Sequence, residues 1–192
     1  EVIGDPSGVI EMGDAVITYV DSSIPDSNQG RVGMLSFRML QDSLGEYQHK
    51  DIKIGLIHHH VVPVPMAGRE RNVLSNAGDI LNLLLKYNVD LVLSGHRHYP
   101  NAHKVERTLF INAGTFSSSK TRYGDVNSYG VIEIEGDRFR LTTRRVNGES
   151  RVQQFFMAKP KIFKNPGERK YRIAHISNTF ISNTRNFLEN QF

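Results

Sequence analysis

Three short apolar runs, each ending at a loop, with two stretches of helical periodicity between them, constrain this chain most. Ala15–Val20 (AVITYV) is β-branched and apolar and stops at Asp21-Ser22-Ser23. Ile52–Ile57 runs straight into His58-His59-His60, and Asp90–Leu93 ends at Ser94-Gly95. Runs of this length and composition read as buried strands. Met34, Phe37, Leu40 and Leu44 recur at three- and four-residue spacing, which predicts an amphipathic helix over 33–48. Ile80, Leu81, Leu84 and Leu85 predict a second over 73–87, with Asn88 at its stop. Pro63 and Pro65 keep helix out of the loop after the histidines. Strand, helix, strand, helix, strand is the order of a largely parallel sheet with covering helices, an α/β fold.

The pattern then changes. Thr108–Asn112, Tyr129–Ile134 and Phe139–Arg145 read as antiparallel strands, the last two joined across Glu135-Gly136-Asp137. Residues 147–170, polar, basic and holding Pro160, Pro166 and Gly167, read as a linker or arm. A further strand is expected over 171–176 and the opening of a helix over 183–192. The net charge of +4 is uneven: eleven Lys/Arg against three acids between Asp137 and Arg172 give +8, leaving −4 elsewhere. A solvated hairpin accounts for this, and attraction of anionic partners is the alternative.

Composition excludes several chemistries. There is no cysteine, hence no disulfide, no thiolate zinc site and no cysteine nucleophile, and a cytoplasmic setting is expected. No apolar run approaches the roughly 18 residues that span a bilayer, so no membrane span is expected. The chain begins at Glu1, and a fragment or a processed chain is expected.

Five of the eight histidines fall in two clusters, His58-His59-His60 and His96 with His98, each directly after a buried strand. In open α/β sheets sites gather beyond the carboxyl ends of the strands. Residues two apart in extended backbone point the same way, so His96 and His98 are expected to face one site with Arg97 turned away. Gly95 permits the turn. Neutral imidazole suits Zn, Mn, Fe, Co or Ni, and metal binding is the reading. His49, His103 and His175 read as satisfied surface groups.

The segments Leu56–Pro65 (LIHHHVVPVP) and Leu91–His98 (LVLSGHRH) resemble the last two motifs of the calcineurin-like metallophosphoesterases, nearest the cyclic-nucleotide phosphodiesterase branch. Asn112-Ala-Gly-Thr115 and Tyr19-Val20-Asp21-Ser22 are similar to the elements flanking those motifs. The resemblance implies that residues 1–146 form the C-terminal half of a four-layer αββα sandwich with mixed sheets. It further implies hydrolysis of a phosphodiester or phosphomonoester with two divalent metal ions, Mn, Fe, Zn or Co. His58 and His96 would ligate one ion and His98 the other, with His59 orienting a ligand or meeting phosphate. No catalytic residue is assigned, because the resemblance places the family's Asp-x-His, Gly-Asp and Gly-Asn-His motifs at positions before Val2. A second chain or a missing N-terminal segment is the expected partner, and an open apolar sheet face is expected without it. Tyr171–Ile181 resembles the start of a phosphoesterase domain, with Asn178 and Phe180 where Asp and His belong. Residues 171–192 would then open a second, degenerate unit, or the strand would fill the missing slot. Two rival readings are a non-catalytic scaffold and a nuclease. The nuclease would use a basic stripe of Arg138, Arg140, Arg144, Arg145 and Arg151.

Overall fold

The computed structural model describes residues 5–65, 74–122, 124–156 and 170–176. The first sheet has six strands in the order β1-β2-β3-β4-β6-β5: β1 Gly8–Met12, β2 Ala15–Val20, β3 Ile52–Ile57, β4 Leu91–Ser94, β6 Thr108–Asn112 and β5 Asn101–Val105. Its four central strands are mutually parallel, so their carboxyl ends share one edge. β1 and β5 flank them antiparallel. Helices α1 (Met34–Glu46) and α2 (Ala77–Lys86) supply two crossovers, and a short 3-10 turn, Tyr47–His49, follows α1. Both helices are shorter than their periodicity suggests, and the start expected for the second, at residue 73, falls outside the described residues.

Period-two alternation divides the core in two. On one face Ile57, Val92 and Phe110 pack with Leu40 and Leu44 of α1 and Ile80 and Leu84 of α2. Gly55 lets α2 approach, since a Cβ there would meet Leu84 Cδ2 at 3.3 Å. On the other face Ile52, Ile54, Leu91, Leu93, Leu109 and Ile111 meet the second sheet through Ile132, Ile134, Phe139 and Leu141. Each of those last four is nearly solvent-free and contributes about 2 kcal/mol by burial. The second sheet is antiparallel, ordered β10-β7-β8-β9: β10 Lys170–His175, β7 Ser128–Glu135, β8 Arg138–Arg145 and β9 Ser150–Phe156. Among the described residues, helices, sheet and sheet form a mixed α/β sandwich, three layers of the expected four.

Three expectations change. Residues 150–156 are strand β9 rather than linker: Phe155 pairs with Phe139 and Gln153 with Leu141 on the inward face. The turn into it is Asn147-Gly148, where Gly148 takes φ 94. The strand over 171–176 pairs with β7 and completes the edge of this same sheet. The outward face of the second sheet is charged, not apolar: Lys170 pairs with Glu135 at 3.1 Å, and Glu133 sits between Arg172 at 2.7 Å and Arg140 at 4.0 Å. Asn178, Phe180 and the helix expected over 183–192 lie outside the described residues.

Candidate metal centre

The carboxyl ends of β2, β3 and β4 deliver Ser22, His58–His60 and Gly95–His98 to one edge. His58 Nε2 and His96 Nδ1 stand 3.3 Å apart, their rings nearly perpendicular at 84°. The His59 ring lies 4.3 Å from that of His96. Ligand atoms of His58, His59 and His96 all fall within 4.8 Å of one another, and among the described residues this is the group with metal-ligating spacing. It holds no carboxylate. Two nitrogens on one tetrahedral ion at about 2.0–2.1 Å each stand about 3.3–3.4 Å apart, so the His58–His96 pair fits such an ion. A nitrogen set fits Zn, Mn, Fe or Co and poorly fits Mg or Ca.

The imidazoles are kept neutral, which a ligand requires. Loss of solvation lowers the His58 pKa, with His98 nearby adding to it. Burial, then the charges of neighbouring His59 and His58, pushes His96 down to about 3. Burial also brings His59 and His60 to about 4. For His60 the Arg97 guanidinium is the next cause.

His59 is pinned rather than free. Its Nδ1 lies 2.9 Å from Ser22 Oγ, its own N–H donates to the same oxygen at 3.2 Å, and its ring also hydrogen-bonds the Asn28 backbone. Gly30 lies flat against the ring, where a Cβ would come within 2.3 Å of His59 Cγ. This cradle fixes the orientation of the His59 ring. The Ser22 and Gly30 partnership is not legible in the sequence, where Ser22 stands only within the strand-Asp-Ser element that resembles the family's and Gly30 only as a loop residue.

The turn carrying His96 and His98 is not extended. His96 has φ 65 and His98 φ 53, so the two side chains diverge. His96 joins His58, whereas His98 Nδ1–H donates to the Lys120 carbonyl at 2.9 Å and stands outside the three-histidine group. That bond leaves Nε2 of His98 as the nitrogen able to ligate. Arg97 is buried, at 4% exposure. His60 is buried with Nδ1 unpartnered. His175, expected at the surface, is also buried. Asn76 is structural: its amide brackets the Val32 backbone at 3.1 and 3.0 Å. Arg69 and Arg71 lie outside the described residues.

The arginine stripe is broken. Arg138, Arg140 and Arg144 face outward from β8, whereas Arg145 is taken up by Asp125 and Glu149, each at 3.0 Å. No helix among the described residues is long and apolar enough to cross a membrane.

The calcineurin-like phosphoesterase superfamily domain matches residues 33–137. No curated protein matches the chain. Among solved structures, the purple acid phosphatase PPD1 of yellow lupin, Lupinus luteus, superposes with a TM-score of 0.57 at 14% identity, over 78% of this chain and 32% of that one. GAP50, the anchor in the inner membrane complex of Plasmodium, gives 0.44 at 15% identity over 95% of this chain and 57% of its own. A single mutant of Vps29 from Entamoeba histolytica gives 0.41 at 16%, over 80% and 61%. The chain thus spans from about a third to three-fifths of these structures. The matched span covers more than half of the 192 residues and takes in both histidine-bearing strand ends, and the chain belongs to the calcineurin-like phosphoesterase superfamily.

Proposed function

We propose that this chain supplies the histidine half of a metal-dependent phosphoesterase acting on a phosphodiester or phosphomonoester. The observation that carries this is the 3.3 Å approach of His58 Nε2 and His96 Nδ1 at the ends of adjacent parallel strands. When bound, divalent metal would polarise the phosphoryl group and acidify a water. The chain's own residues do the rest. His58 and His96 present neutral lone pairs for one ion. His98, oriented by the Lys120 carbonyl, presents Nε2 for a second. His59, held by Ser22, packs against the His96 ring and limits its movement.

The carboxylates that would complete the site come from a second chain or a further N-terminal segment, and the active protein includes them. Zn, Mn, Fe or Co is the metal, and a cytoplasmic setting belongs to the same proposal. The nuclease reading is less supported, because Glu133 and Glu135 interleave the cations of the second sheet. The test is metal-dependent hydrolysis of a nitrophenyl phosphodiester by the protein carrying both halves. His96→Ala and His98→Ala are expected to remove it, and turnover surviving in both variants would defeat the proposal.

A further inference from the structure

His175 ends β10, the strand nearest the C-terminus among the described residues and well outside the matched span 33–137. It is 6% exposed and faces inward opposite Gly130, which leaves room for the ring. Its Nδ1 has no partner, and the ring hydrogen-bonds the Ser94 backbone, which makes the other ring nitrogen the donor. Ser94 is no ordinary acceptor. Its carbonyl already takes the Ala113 N–H at 2.8 Å, tying β4 to the end of β6. The next residue, Gly95, donates its N–H to the His58 carbonyl at 2.9 Å, and Arg97 N–H closes back on the Gly95 carbonyl at 2.7 Å. Immediately beyond, His96 and His98 both occupy the left-handed region, where a side chain is disfavoured. Such a turn persists only when its surroundings hold it, and Ser94 is its root.

We propose that His175 is a positioning residue for the metal centre. Through the Ser94 carbonyl it fixes the root of the turn carrying His96 and His98, and it makes the C-terminal strand part of the working site. Its effect on metal affinity rests on the function proposed above, whereas its hold on the turn does not.

The test uses the full chain, first without metal. In His175→Phe, which cannot donate, the Gly95 and Arg97 amides are expected to exchange with solvent about tenfold faster, with α1 unchanged. His175→Gln, whose amide can donate to the same carbonyl, is expected to restore protection. Wild-type exchange in the phenylalanine variant overturns the proposal. Should that variant not fold, the wild-type ring decides by nitrogen NMR. A proton held on Nε2 and slow to exchange supports the assignment, and a proton on Nδ1 overturns it. Zinc titration then follows, with about tenfold weaker binding expected in His175→Phe and recovery in His175→Gln. Wild-type protein that binds no zinc sinks the metal centre while the exchange data still decide His175. Equal zinc binding together with equal exchange sinks His175 alone.

Discussion

Replacing Gly30 by alanine tests the cradle around His59. The added Cβ would lie 2.3 Å from His59 Cγ, 2.5 Å from Nδ1 and 2.8 Å from Cβ. Unstrained carbon contacts sit at about 3.5–4.0 Å, so the ring must retreat by more than 1 Å. It cannot do so and keep Ser22 Oγ at 2.9 Å. Overpacking costs about 1–3 kcal/mol and the lost buried hydrogen bond about 1 more, giving a loss of about 2–4 kcal/mol. With a urea slope of about 2 kcal/mol/M, the unfolding midpoint falls by about 1–2 M. Zinc affinity falls with it, because the displaced ring is driven toward His96, 4.3 Å away. Gly78 is the control: nothing lies within 4 Å of its would-be Cβ, and in the first turn of α2 alanine is expected to stabilise by about 0.5–1 kcal/mol. A Gly30→Ala protein with the wild-type midpoint and wild-type zinc affinity refutes the cradle.

Acid should unfold the metal-free protein early. His59, His60 and His175 titrate near 4 when folded and near 6.5 when unfolded, so the unfolded chain takes protons first as pH falls. The stability they confer is complete above about pH 6.5 and is lost toward pH 4. His175 alone accounts for a loss of about 2 kcal/mol by pH 5. Equal urea midpoints at pH 7.5 and pH 5 would contradict this. Ser22→Ala removes the oxygen that meets His59 Nδ1 and the His59 backbone N–H and should cost about 1–3 kcal/mol with weaker zinc binding, read by calorimetry. Thr108→Val loses the buried hydroxyl bond to the Val89 carbonyl at 2.7 Å and should cost about 1 kcal/mol without touching zinc affinity.

The fold was legible where periodicity was strong. Leu40 and Leu44, and Ile80 and Leu84, face the sheet as their spacing requires. Strand β9 was hidden because its inward positions are Gln153 and Phe155, so alternation is half polar, although Asn147-Gly148 was a hairpin signal in plain view. The two histidine clusters were legible because strand ends in a parallel sheet share an edge. The divergence of His96 and His98 was not, because it depends on two left-handed backbones that side-chain alternation does not foresee. Nor was the burial of His175, whose strand pairs with β7 nearly forty residues earlier. The charged outer face of the second sheet follows from register, which sets Glu133 between Arg140 and Arg172 and cannot be read from any one strand.

The most direct measurement is the metal content of the purified chain after equilibration with zinc, beside that of His58→Ala and His96→Ala. The account predicts weak but measurable binding of about one ion per chain, through the nitrogens now 3.3 Å apart, and its loss in both variants. Zinc absent from the wild type, or retained undiminished in the two variants, would contradict it.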